Sequence, residues 1–385
     1  MNQENDFLFH DEWGPEQIVK VYDPKTGLRG ILVVDNTALG PGKGGIRMTP
    51  DVTEEEVFRL ARTMTWKNAL AGIPFGGAKA GIRIERGKEP NKKELIQAFA
   101  RAIKNFTPKR YIAGPDVNTG EAEMQAFVEA TGNWRTATGK PANYCMAVFG
   151  KKGEKCGIPH EFGSTGFGVA EATKVAAEIA GVPIKGVTVA IHGFGNVGTF
   201  TFRFLSDMGA KVVLLADRDG AIYDASGFDR KQIENIIEHR KSLSDYRGGK
   251  RLASAEFWSV PVDILIPASV TDVIHAGNKD KVQTKIIVEA GNIPMSESIE
   301  AEFYRKGIVI VPDFVANAGG VISSYAEYRG YNPKQMFELV RRKITKTTTA
   351  VLKRAMKAKE NPRSIAIEMA KDRVRAAMQK KNGKR

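Results

Sequence analysis

Cysteine is nearly absent: Cys145 and Cys156 are the only two in 385 residues. Their spacing fits no metal-ligand pattern, which excludes a disulfide-dense scaffold and a structural metal framework. Two ordinary free thiols in a reducing, cytoplasmic compartment are expected. Long apolar runs are missing too. Ile308-Val309-Ile310-Val311 is of strand length, against the roughly 20 residues of a membrane span. The start, Met1-Asn2-Gln3-Glu4-Asn5-Asp6, is acidic and polar and does not read as a secretory signal. No internal repeat or low-complexity segment occurs. Acid is short relative to base, 44 against 58, for a net charge of +14. The excess is spread along the chain, with one local run at Lys380-Lys381-Asn382-Gly383-Lys384-Arg385. No aromatic-interleaved basic patch accompanies it, which argues against nucleic acid. A solvated basic surface that attracts small anions is the expectation.

What remains is an ordinary globular composition, 42% hydrophobic and 26% charged, long enough for two or three domains. Residues 16–35 alternate around Pro24-Lys25-Thr26-Gly27 as a hairpin would. Thr53 and Glu56 form a capping-box pattern. Val57, Leu60, Ala61 and Met64 follow at helical spacing, with Lys67 continuing their inward stripe. A helix near 92–105 and a strand near 110–113 lead into Gly114-Pro115-Asp116. From about residue 163 strands and helices alternate: helix 169–180, then strands 187–192, 211–216, 263–267, 285–290 and 308–311. That alternation predicts a parallel, doubly wound sheet. Beyond Asn317 only helices are expected, the last opening at Asn361-Pro362 and turning Ala366, Met369, Ala370, Ala377 and Met378 inward.

Two motifs carry chemistry. Gly193-Phe194-Gly195-Asn196-Val197-Gly198 follows an apolar strand and opens a helix, and Asp217 ends the next strand. That is the context a dinucleotide fingerprint requires: a tight turn, close backbone approach to a pyrophosphate, and close helix–strand contact. Asp217 would accept from ribose hydroxyls and favour NAD, whereas Arg218 could pair with a 2′-phosphate and favour NADP. The second motif is Pro74-Phe75-Gly76-Gly77-Ala78-Lys79-Ala80-Gly81, a lysine framed by glycines. It reads as a flexible loop or a close ligand approach. With Lys43 and Lys67 nearby, mutual repulsion and burial would ease loss of the Lys79 proton. His192 is read as a packing residue and His160 as an exposed loop histidine.

In order and spacing, Lys43-Gly44-Gly45-Ile46-Arg47, Met64-Thr65-Trp66-Lys67, Gly76-Gly77-Ala78-Lys79, Pro115-Asp116-Val117, Thr138-Gly139-Lys140-Pro141, Ser164-Thr165-Gly166, the Gly193–Gly198 fingerprint, Asp263-Ile264-Leu265-Ile266-Pro267-Ala268 and Asn317-Ala318-Gly319-Gly320-Val321 resemble the amino-acid dehydrogenases that group glutamate, leucine, phenylalanine and valine dehydrogenases. The resemblance implies reversible oxidative deamination with NAD or NADP, giving a 2-oxo acid and ammonia. It implies that Lys79 activates the attacking water, that Asp116 relays protons, and that Lys67 holds the substrate α-carboxylate. Lys43, before Gly44-Gly45, and Ser324 match the positions that take a side-chain carboxylate in glutamate-specific members. They point to glutamate and 2-oxoglutarate rather than leucine, valine or phenylalanine; a one-residue shift would put Ser323 in place of Ser324. Thr165, Asn292 and Asn317 are implied cofactor contacts, and a homohexamer the implied assembly. A non-catalytic NAD(P)-binding regulator is the alternative of another class.

The expected organisation is α/β. An N-terminal α/β substrate-binding and oligomerisation domain spans 1–160. A Rossmann-type doubly wound dinucleotide domain spans 161–316, and C-terminal helices, 317–385, pack back on the first domain. Departures from the family pattern are Ala80 where a glycine is usual, Ile82-Arg83-Ile84-Glu85-Arg86 after Gly81, and Gly157-Ile158-Pro159-His160-Glu161-Phe162-Gly163 in place of an arginine-bearing loop.

Overall fold

The computed structural model describes residues 10–87, 90–146, 156–159, 162–239 and 241–382. The chain forms two compact units. One comprises 1–162, 321–336 and 367–385; the other comprises 163–320 and 337–366. The C-terminal helices thus divide between the units, where the sequence reading assigned them all to the first.

In the first unit the elements are β1 (Gln17–Asp23), β2 (Leu28–Asn36), β3 (Gly42–Lys43), β4 (Ile46–Thr49), α1 (Glu54–Leu70), β5 (Gly76–Arg83), α2 (Lys92–Ala102), β6 (Tyr111–Ile112) and α3 (Glu121–Thr131). The sheet runs β1-β2-β5-β3-β6, with β4 also on β5. β2 runs antiparallel to both β1 and β5, while β3 and β4 lie parallel to β5. Alternation along β2 sends Leu32 and Val34 into the core with Phe99, Tyr111 and Phe127, and Val33 to the opposite face with Val57 and Ala61 of α1.

The same alternation decides β5. Ala78, Ala80 and Ile82 enter the larger core, so Gly77, Lys79 and Gly81 face α1. A Cβ on Gly77 would lie 2.0 Å from Thr65 Oγ1, and one on Gly81 2.7 Å from Val52. The glycine-framed lysine therefore sits on a buried central strand, not a flexible loop. Its glycines admit the protein's own helix. The Ala80 methyl turns into the core opposite Leu32 and Ile46, so this departure costs the Lys79 face nothing.

Helix α1 opens on Thr53, whose hydroxyl accepts from Glu56 N at 3.2 Å. Only half of the expected capping box forms, because the Glu56 carboxylate pairs with Arg47. Its buried stripe is Val57, Ala61, Thr65 and Asn68, whereas Leu60, Met64 and Lys67 are half-buried beside it. Cys145 and Cys156 form a disulfide. The free-thiol expectation is overturned: two strand-like segments bridge at these residues, a proximity that spacing alone did not reveal.

The second unit holds α4 (Ser164–Ile179), β7 (Thr188–His192), α5 (Asn196–Asp207), β8 (Lys211–Asp217), β9 (Gly220–Tyr223), α6 (Arg230–Glu238), β10 (Lys250–Leu252), β11 (Ile264–Pro267), β12 (Ile286–Val288), α7 (Glu297–Arg305), β13 (Val309–Val311) and α8 (Asp313–Ala316). Helices α9 (Gly319–Arg329), α10 (Pro333–Ala358) and α11 (Pro362–Asn382) complete the chain. The seven-stranded sheet runs β10-β9-β8-β7-β11-β12-β13. Strands β8, β7, β11, β12 and β13 are parallel; β9 and β10 extend the edge antiparallel. Order reverses at β7, which puts the binding crevice of such a sheet at its carboxyl end. Among the described residues no helix is long and apolar enough to cross a membrane.

Candidate active site

Lys79 and Asp116 meet in the first unit, Nζ to Oδ1, at 3.0 Å. The other carboxylate oxygen accepts from Arg47 Nε at 2.9 Å, and Asp116 N donates to Thr119 Oγ1. Gly45 is required here, since a Cβ on it would come within 2.7 Å of Asp116 Cβ. Burial pushes the Lys79 amine below its ordinary value despite the attraction of Asp116. Burial alone would raise the Asp116 carboxyl, but Lys79 and Arg47 outweigh it and hold it below the usual range. The site presents a carboxylate clamped by two cations, one an amine poised to lose its proton.

Lys43 is 4% exposed. It leaves β3 between β5 and β6, and its Nζ donates to Ala113 O at 3.0 Å. Gly114 gives it space, as a Cβ there would sit 2.3 Å from Nζ. Burial pushes the Lys43 amine down to about 7; Glu327 opposes that, and Lys79 and Lys140 add to it. Lys67 occupies the last turn of α1, the helix packed on β5. Ser324 lies half-buried on α9 in the same unit, next to the buried Ser323.

Three participants escaped the sequence reading. Arg47, Lys140 and Glu327 each carried a motif position or neighboured one, but only the fold shows their partners. Lys140 and Glu327 are fully buried and paired, Nζ to Oε1, at 2.5 Å. The i, i+3 spacing of Ser324 and Glu327 on one helix was the available signal.

In the second unit the three fingerprint glycines divide their work as the motif demands. Gly193 takes a φ of +106°. A Cβ on Gly195 would meet nothing within 4 Å, and one on Gly198 would collide with Gly193 O at 1.9 Å. Open space stands where a pyrophosphate would approach, and α5 begins beyond Gly195 with no side-chain cap on its first N–H groups. The residues fit a dinucleotide. Phe194 packs on Phe202, Asn196 is exposed, and Val197 is half-buried.

Asp217 ends β8, and its two oxygens accept from Asp219 N and Leu243 N at 2.8 and 3.0 Å. Arg218 is 92% exposed beside it. Asn317 Nδ2 donates to Asn292 Oδ1 at 3.0 Å, and Thr165, in the first turn of α4, lies against Gly319. His192 stacks on Trp258 and pairs with Ser269; burial pushes its imidazole down to about 4, a neutral packing residue. His160 lies outside the described residues.

Residues 156–382 match the family model described as Glutamate/Leucine/Phenylalanine/Valine dehydrogenase, and residues 15–133 match that of the Glu/Leu/Phe/Val dehydrogenase dimerisation domain. The chain belongs to this family. It is 36% identical to the glutamate dehydrogenase of Aeropyrum pernix over 89% of this chain and 84% of that protein. It is 35% identical to the NADP-specific glutamate dehydrogenase of Saccharolobus shibatae over 94% and 89%. The crystal structure of the Peptoniphilus asaccharolyticus glutamate dehydrogenase superposes with a TM-score of 0.79 at 26% identity, covering 95% of this chain and 92% of that one.

Proposed function

We propose that the protein catalyses the reversible oxidative deamination of L-glutamate to 2-oxoglutarate and ammonia, with NAD or NADP. The observation that carries this reading is the buried Lys43 ammonium in the same unit as the Lys79–Asp116 pair. A buried cation facing a leucine or valine side chain would be left without an anion, at a cost that a glutamate carboxylate removes. Lys67 holds the α-carboxylate, and Lys43 and Ser324 take the side-chain carboxylate. Lys79, once deprotonated, activates water for attack on the imino carbon, and Asp116 passes protons to and from the amine. The dinucleotide, when bound, accepts hydride from the substrate α-carbon.

In the second unit Gly193, Gly195 and Gly198 shape the pyrophosphate turn, and Thr165, Asn292 and Asn317 are its further contacts. Asp217 and Arg218 flank the ribose. A homohexamer belongs to the same reading, supported by the dimerisation-domain match over residues 15–133. A cytoplasmic location belongs to it as well, although the Cys145–Cys156 bond withdraws the support that free thiols lent.

The test is an amino-acid panel run with NAD⁺ and NADP⁺ in parallel. Glutamate is expected to give the highest kcat/KM; a higher value for leucine, valine or phenylalanine overturns the assignment. The fingerprint separates scaffold from ligand contact. Gly195→Val is expected to leave the melting temperature unchanged and to weaken NADH or NADPH binding about tenfold or more, read by fluorescence titration. Gly198→Ala is expected to lower the melting temperature, because its methyl has no room.

A further inference from the structure

Lys43 and Glu327 are joined through a short run of backbone. The Ala113 carbonyl accepts from both Lys43 Nζ and Thr138 N, each at 3.0 Å. The next residue, Gly139, donates its N–H to Glu327 Oε2 at 2.8 Å, and Ile158 N donates to the same oxygen at 2.9 Å. The residue after that, Lys140, closes on the other oxygen of Glu327 and lies 4.0 Å from the centre of the Trp134 ring. One buried carboxylate therefore fastens α9 to the 138–140 segment. Phe75, just before β5, meets the Tyr325 and Tyr328 rings edge-on and fixes the same helix.

Among the described residues, the charged groups acting on Lys43 are buried with it: Glu327 from α9, Lys140 from the 138–140 segment and Lys79 from β5. Tyr111 of β6 is near but donates its hydroxyl to Gly44 O. Two cations thus oppose the Lys43 charge and one anion supports it.

We propose that Glu327 is a positioning residue, which keeps Lys43 charged for the substrate side-chain carboxylate and seats the Ser323–Ser324 turn of α9, with Lys140 as its opposing partner. This rests on Lys43 being the side-chain carboxylate ligand. It assigns to a residue that touches no substrate the control of how tightly a dicarboxylate binds. Glu327 and Lys140 act on Lys43 with opposite sign, so removing one or the other is expected to move its titration in opposite directions.

The experiment is a calorimetric titration of the intact enzyme with glutarate, an unreactive dicarboxylate, from pH 6 to 9.5. Wild type, Glu327→Gln, Lys140→Met and Lys43→Leu are compared. In wild type, affinity is expected to fall as pH rises through about 7, where Lys43 gives up its proton. Removing the anion is expected to move that fall about one pH unit lower, and removing the opposing cation about one unit higher. Should Glu327→Gln fail to fold, the upward move in Lys140→Met decides alone. A fall that stays in place in the folded variants, or moves in the same direction in both, overturns the role of Glu327 while leaving Lys43 as ligand. Glutarate binding by Lys43→Leu equal to wild type overturns the ligand assignment, and the inference with it.

Discussion

Replacing Lys79 by alanine is expected to lower kcat by roughly 10³-fold or more, with NADH or NADPH affinity within twofold of wild type. The amine is the group of the Asp116 pair that burial has pushed toward its neutral form. Alanine also strips Asp116 of one of its two cations, so Arg47 alone holds it. The carboxyl then titrates at higher pH than in wild type, and any residual turnover should show that displaced dependence. The fingerprint lies in the other compact unit, so nucleotide titration separates lost chemistry from lost folding. Activity retained within a few-fold would remove Lys79 from its role.

Lys43→Leu is expected to cut kcat/KM for glutamate by roughly 10³-fold while changing leucine or norvaline several-fold at most, in either direction. The asymmetry follows from charge: a γ-carboxylate brought to a leucine loses water and gains no cation, whereas an alkyl side chain loses nothing. The same substitution reports on stability. The unfolded chain holds the Lys43 proton up to about 10.5 and the folded one releases it near 7. Between those values the unfolded state binds more protons, so this residue makes wild-type stability rise with pH. Leucine removes that slope. Denaturant midpoints at pH 7 and 9 should therefore differ less in the variant than in wild type, and the variant should be the more stable of the two at pH 7. Equal losses on glutamate and leucine would end the side-chain assignment.

Much of the second unit was legible because its signals are local. An apolar strand, three glycines at fixed offsets and a terminal acid can be read within about 30 residues. β9 and β10 were not, since they are short and antiparallel and add only an edge. In the first unit Lys79 and Asp116 were legible through family spacing, while the strand beneath Lys79 was not. Gly76–Gly81 lacks the β-branched and aromatic residues that mark strands, and its burial on both faces leaves no polar alternation to read. Glu327 stayed hidden for a different reason. Its partners, Gly139, Lys140 and Ile158, are more than 160 residues away in sequence, and no periodicity encodes a contact of that range. The disulfide failed to show because spacing cannot tell two thiols in contact from two apart.

The small residues of the first unit have a consequence for how its substitution map will look. A methyl on Gly44 would lie 1.7 Å from Ala78 O, and one on Gly76 1.9 Å from Asn36 O. Positions that do no chemistry are thus as unforgiving as the lysine they surround. A survey of tolerated residues across 42–46 and 75–82 would draw two bands of intolerance, with reactive groups and spacers indistinguishable inside them. Soluble, folded yet inactive variants would mark the former, and variants that never accumulate the latter. The yield of protein, more than the loss of activity, is what separates the two kinds of position.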